Sequence, residues 1–539
     1  MKHFTWRKIA SLAMAAAMSL TCVSALADTA ALEPVFTTIS GGEIMGYNDN
    51  GTYAFKGIPY GTAERFEEAV PATWDSTINC LTLGEVCPQD RTLASDYHTN
   101  DAEFITPAAN EMCGSEASCL NLNVWTSSMD VAAKKPVVVF MHGGGLNNGS
   151  SGELAVYDGA NFAATTNAVF VSVNMRLNYL GFLDVSAYGG EAYKNSGNLG
   201  LTDMVLSLKW VKDNIAVFGG DPENVTIYGQ SGGGTKVTSL ACLPAAEGLF
   251  NRVAIISGGY TTAKAADQQA ETAKLVESLG LTEKDDVIGT LKSMTYEELY
   301  KACSAAQVRI SAQIDGDYFP APWFDAETGK MNEYAAKRTY LISSTFSEFM
   351  TSGEHLVLDE RFHGEIDKNF YRPNMTDEWK TEQLTTKFAD KADAILAAFA
   401  EAYPNHDTLD ALWLFNRVGT LGQVEACASN GVTVYNDVIA YNPPFMGGLT
   451  MWHSGDIGYW FNSMARQSYQ IKGDEENANK VASAVSSALA AFAATGDPST
   501  DTLKWDAYTA ENPNIMVFDV QCYQKMNLDT EVQSLIYAK

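Results

Sequence analysis

Apolar residues in this chain come in short uninterrupted runs that stop at glycines or turn residues, with helically spaced segments between them. Residues 136–141 form one such run, ending in His142-Gly143-Gly144-Gly145, and residues 168–174 form another, ending in Asn174-Met175-Arg176. Runs of this kind fit strands buried on both faces. Over residues 201–218, Leu201, Met204, Val205, Leu208, Val211 and Ile215 recur at helical spacing until Gly219-Gly220-Asp221-Pro222 stops them. Residues 224–228 read as the next strand, a helix can start from Ser231, and residues 253–256 and 339–342 are further short strands. Strand and helix in alternation predict an α/β fold with a large, mostly parallel central sheet and helices on both faces. Residues 263–305, rich in Ala, Lys and Glu, read as helices that cap the C-terminal edge of that sheet.

The first residues carry a different pattern. Lys2, Arg7 and Lys8 precede an apolar stretch, and Ala25-Leu26-Ala27 is the small-x-small sequence that signal peptidases accept. We therefore expect a signal peptide over 1–27, secretion, and one catalytic domain over 28–539, since no Pro-rich or Gly/Ser-rich linker and no internal repeat divides the rest. The apolar stretch is short for a bilayer that needs about 20 residues and no basic stop flank follows it, so no stable membrane anchor is expected.

Composition narrows the partners. Acids outnumber bases 65 to 36, and losing three basic residues with the leader takes the formal net charge from −29 to −32. Such a surface repels phosphate backbones and anionic lipid, which argues against nucleic acid as a partner. Of nine cysteines, Cys22 leaves with the leader, and an even number in an exported chain is compatible with disulfides. Cys80, Cys87, Cys113 and Cys119 are close in sequence and allow three pairings. There is no C-x-x-C and no His/Cys cluster at zinc-ligand spacing, so neither a metal nor an organic cofactor is expected.

Gly229-Gln230-Ser231-Gly232-Gly233 fits G-x-S-x-G, and its position between a predicted strand and a predicted helix is the setting in which that motif exposes a nucleophilic serine on a strained turn. Ser231 is the candidate nucleophile. Attack on an acyl carbonyl places negative charge on its oxygen, which needs preorganised N–H donors. The glycines after His142 follow an upstream strand and let an acyl oxygen approach the backbone; Gly144 and Gly145 are assigned as donors, with Gly232 as the third. No Lys-Ser or Lys-Thr follows the glycines, so they are not a phosphate-binding Walker loop. His142 precedes the serine at a strand end and is read as structural.

With these motifs in place, the chain resembles the type-B carboxylesterase family, the group of para-nitrobenzyl esterases, fungal lipases and cholinesterases. Further likenesses are Phe55-Lys56-Gly57-Ile58-Pro59-Tyr60, Cys87-Pro88-Gln89, the stretch from Ser115 to Val124, Tyr157-Asp158-Gly159, the stretch from Gly197 to Asp203, and Phe492 to Pro498 with Trp505, all in family order. The resemblance implies an α/β-hydrolase fold and hydrolysis of small-molecule carboxylic esters, and it assigns a disulfide to Cys87 and Cys119, which leaves Cys80 and Cys113 available for a second. In this fold the triad order is serine, acid, histidine, so the base is His355, His363, His406 or His453. Met451 to Ile457, with Phe461, is similar to the family's histidine loop and implies His453 as base. Residues 339–348 match a family strand and loop that end in the catalytic glutamate, implying Glu348, with Asp315 or Asp317 next in line. The chain departs from the family at Gln230 (commonly Glu), Gly232 (commonly Ala) and Ser347-Glu348-Phe349 (commonly Asp-Glu-Gly). Ser257 looks like a second, supporting serine near the triad. The fold also includes non-catalytic adhesion proteins that resemble neuroligins and lack triad members, whereas here all three roles can be filled. Between an esterase for soluble substrates and an interfacial lipase, the sequence leaves both open.

Overall fold

The computed structural model describes residues 32–89, 113–282, 284–348 and 372–537 of the 539-residue chain. The expected leader, His355 and His363 lie outside the described residues.

One sheet draws its strands from the whole described chain: β1 (Glu33–Ile39), β2 (Gly42–Asp49), β3 (Thr52–Pro59), β4 (Asn121–Thr126), β5 (Lys135–Met141), β6 (Val169–Val173), β7 (Gly220–Gln230), β8 (Arg252–Ile256), β9 (Thr339–Thr345), β10 (Val434–Ile439), β11 (Asn514–Phe518) and β12 (Tyr523–Met526). They lie in the order β1-β2-β3-β4-β6-β5-β7-β8-β9-β10-β11-β12. Pairing is parallel from β6 through β11. It is antiparallel from β1 through β4 to β6, and again between β11 and β12. The mostly parallel sheet is thus parallel at its centre and antiparallel at both edges.

Strand alternation distributes the apolar runs between two cores. On β5, Val137, Val139 and Met141 belong to one core and Val138 and Phe140 to the other, as successive side chains leave opposite faces. The first core is closed by α1 (Leu199–Asn214), through Leu201, Met204, Leu208 and Val211, and by α2 (Gly232–Ala241), through Val237 and Leu240. The second is closed by a 21-residue helix, Glu475–Thr495, through Val481, Val485, Leu489 and Phe492. Truncating any of these leucines to alanine costs about 2–5 kcal/mol.

The expected cap region forms three helices, Ala265–Ser278, Val287–Ser293 and Tyr296–Ala305. The last packs against residues 178–182, which continue from the C-terminal end of β6, and Tyr179 and Tyr300 meet with ring centroids 5.8 Å apart. Among the described residues no helix is long and apolar enough to cross a membrane.

Candidate active site

Successive parallel strands release the candidate residues at their C-terminal ends, where open α/β sheets hold ligands. β5 leads into the glycine loop after His142, β7 into Ser231, β8 into Ser257 and β9 into Glu348.

Ser231 sits between the last residue of β7 and the first of α2 with φ 57° and ψ −123°. A β-carbon at Gly229 would lie 2.1 Å from the Gly233 oxygen, and one at Gly233 would lie 2.0 Å from the Met141 oxygen. Neither position accepts a side chain, so the turn can be this sharp only with glycine at both. The Ser231 N–H donates to Ile256 O at 2.9 Å, and the residue is half-buried.

The structure brings His453 and Glu348 to this serine. Ser231 Oγ lies 2.8 Å from His453 Nε2, and His453 Nδ1 lies 2.6 Å from Glu348 Oε2. With the imidazole neutral, Nδ1–H donates to the carboxylate and Nε2 accepts from the serine hydroxyl. The His453 N–H also donates to Glu348 O at 2.8 Å, so the two residues are joined through main chain and side chain. Phe461, downstream of His453, packs at 4.9–6.0 Å against Phe140, Tyr157, Phe170 and Tyr228 and anchors that segment in the second core.

Burial pushes the Glu348 carboxyl upward, but the hydrogen bond and charge of His453, the Ser257 hydroxyl and the Thr345 N–H outweigh it and hold the group below the usual carboxylate range. Thr345 N–H donates to Oε1 at 2.9 Å. Ser231, Ser257, Glu348 and Ser454 all carry positive φ, between 47° and 69°. Four non-glycine residues in this region at one site store strain on the order of 1–3 kcal/mol each.

The remaining candidates fall elsewhere. His406 Nδ1 meets Asp410 at 3.0 Å and its ring stacks on Phe346. Asp315 accepts from Asn198 and from the N–H groups of Asp317 and Phe319, and Asp317 is exposed. His142 is buried, with Nδ1 2.9 Å from Gly143 O.

Gly144 and Gly145 are exposed at the mouth of the site and have φ of 78° and 64°. A β-carbon at Gly232 would lie 2.2 Å from Gly145 N, so the departure to glycine here accompanies a loop that approaches α2 closely. The departure at Gln230 also has a structural counterpart. Its buried amide Nε2 donates to Ser454 Oγ at 3.2 Å, a bond that a carboxylate could not donate, and Ser454 follows His453 directly.

Two groups here carried no role in the sequence reading. Asp456 is buried and accepts from Trp460 Nε1 at 2.9 Å, and burial together with the Glu348 charge pushes its carboxyl up to about 7. Lys236, on α2, is fully buried and donates to His142 O at 2.8 Å and Gly143 O at 3.2 Å. Burial pushes its ammonium down to about 7, against the opposing pull of Glu153. The available signal for Lys236 was its phase, because Gly233, Lys236 and Leu240 lie at helical spacing on one buried face.

The Cys87 and Cys119 thiols are buried, unbridged and in contact, and the interaction with Cys87, followed by burial, pushes the Cys119 thiol up. Cys80 is buried and Cys113 exposed, and both are likewise free. A cavity of about 370 Å³ opens beside Glu348, lined by Ser257, Gly258, Tyr260, Phe415 and Gln423 among others.

The chain is similar to known proteins over most of its length. The sequence pattern of the carboxylesterase family matches residues 33–535. The para-nitrobenzyl esterase of Bacillus subtilis is 28% identical over 512 residues, covering 92% of this chain and 97% of its own. A phenmedipham hydrolase of Pseudarthrobacter oxydans is 28% identical over 498 residues, covering 88% and 93% respectively. The solved structure of an esterase from anaerobic Clostridium hathewayi, described as able to hydrolyse aliphatic aromatic polyesters, superposes with a TM-score of 0.81 at 31% identity, covering 94% of this chain and 99% of that one. Fold and family pattern together place the chain in the carboxylesterase family, as a carboxylic ester hydrolase of the α/β-hydrolase fold.

Proposed function

We propose that ester hydrolysis proceeds through an acyl-enzyme on Ser231, with His453 as general base and Glu348 as its carboxylate partner. The observation that carries this reading is the continuous hydrogen-bonded chain from Ser231 Oγ through both His453 nitrogens to Glu348. Oγ attacks the carbonyl carbon while its proton passes to Nε2, and the carbonyl electron pair moves onto oxygen, where the N–H groups of Gly144, Gly145 and Gly232 receive it. Glu348 stabilises the imidazolium. Collapse expels the alcohol, which takes the proton from Nε2, and water then repeats the sequence to release the acid.

The Clostridium hathewayi esterase makes aliphatic aromatic polyesters a substrate class to assay here, beside simple aryl esters. Ser231→Ala should abolish turnover of both in a folded protein; retained turnover would reject Ser231 as nucleophile.

The same reading includes export as a single catalytic domain after removal of residues 1–27. It is supported by the basic start, apolar stretch and Ala25-Leu26-Ala27. In an oxidising compartment the adjacent Cys87 and Cys119 thiols would close into a disulfide. Protein recovered from outside the producing cell should begin at Asp28; an intact Met1 would refute export by cleavage.

A further inference from the structure

The chemistry above makes no use of Lys236, yet it is an expensive residue to keep. Its ammonium is fully buried on the helix that follows the nucleophile, and its hydrogen-bond partners are two main-chain carbonyls rather than a carboxylate. Burying an ion on such partners costs stability, and a hydrocarbon side chain of similar length would fill the space without that cost.

The carbonyls it holds have a particular place. Gly143 O belongs to the same peptide unit as Gly144 N–H, and the described chain contains no cis peptide. In a trans peptide the N–H points opposite to the C=O. Drawing Gly143 O inward toward Lys236 therefore turns Gly144 N–H outward, to the exposed side of the loop. The same oxygen faces His142 Nδ1 at 2.9 Å. Burial, then the Lys236 charge, holds the His142 imidazole neutral, so its Nδ1–H can donate as the second clamp. Two donors on one carbonyl, one of them charged below about pH 7, polarise the amide and strengthen its N–H as a donor.

We propose that Lys236 is a positioning residue for the oxyanion hole, clamping the Gly143 carbonyl with His142 so that Gly144 N–H is aimed and polarised toward the oxygen that becomes negative when Ser231 attacks. This rests on the assignment of Ser231 and the glycine donors made above.

The test compares the full-length enzyme with Lys236→Met, which removes charge and donors, and Lys236→Gln, which removes charge but keeps an N–H donor. An aryl trifluoromethyl ketone is the probe. Ser231 Oγ adds to its carbonyl carbon, the proton goes to His453, and the electron pair stays on oxygen as a stable alkoxide. Lys236→Met should lower kcat on an aryl ester about 10- to 100-fold, leave KM within about threefold, and weaken the ketone by the same factor as kcat. Lys236→Gln should fall between it and the parent. Unchanged kcat in either folded variant, or a kcat loss without parallel weakening of the ketone, would overturn the proposal. If Lys236→Met does not fold, Lys236→Gln decides alone by the same two readings. Failure of the underlying assignment is separately visible, because the parent enzyme would then form no ketone adduct on Ser231.

Discussion

Gly232 and Gly145 approach so closely that a β-carbon on the first would lie 2.2 Å from the amide nitrogen of the second. The obstructing atom is backbone, so an alanine at 232 cannot be accommodated by a side-chain rotation. The loop carrying Gly145 must move away from Ser231. Gly232→Ala is therefore expected to lower kcat by up to about 100-fold, the scale of one lost oxyanion donor, with little change in KM. Steady-state kinetics on an aryl ester checks this, and an alanine variant as fast as the parent would show that the loop is not held where the structure puts it.

Glu348 accepts from His453 Nδ1 and from Thr345 N–H, and its depressed pKa keeps it charged near neutral pH. Glu348→Gln retains the size but loses the charge that stabilises the imidazolium and selects the tautomer. A loss in kcat of about 10³- to 10⁴-fold is expected in a folded protein. A variant in which KM alone changed would make Glu348 a binding group instead.

Asp456 yields a stability prediction with a definite sign. Its folded carboxyl is raised to about 7, chiefly by burial and then by Glu348, so the folded state holds the proton more tightly than the unfolded chain. The resulting destabilisation is absent below the ordinary aspartate range, grows as pH rises toward 7, and is complete above it. Asp456→Asn should remove it, stabilising the protein by on the order of 4 kcal/mol near pH 8 and by almost nothing near pH 4. Denaturant melts at the two pH values measure the difference, and a gain independent of pH would rule out this cause.

Strands β5 to β9 were readable because burial on both faces demands unbroken apolar runs, as in Val137, Val138, Val139, Phe140 and Met141; the equally buried β4, β10 and β11 went unread, β4 and β10 because Asn121, Asn123, Asn436 and Asp437 interrupt their apolar runs. The edge strands β1 to β3 and β12 went unread because they are antiparallel and partly exposed; Phe36 on β1 even faces solvent. The weak alternation in Gly42–Asp49, where Ile44 and Gly46 are buried, was the available signal. Ser231, Glu348 and His453 could be found from their motifs, but their hydrogen-bonded contact depends on strands β7 and β9 being joined through β8, which local patterns do not state. Lys236 escaped because a lysine in a helix reads as a solvated residue. Its burial follows from tertiary packing beneath the glycine loop.

The mechanism requires Ser231 as the nucleophile, and covalent trapping tests this most directly. After treatment with a fluorophosphonate ester, peptide mass mapping should find one phosphonyl adduct, on the peptide containing Ser231, and none in a folded Ser231→Ala variant. An adduct on a different residue, or undiminished labelling of that variant, would contradict the account.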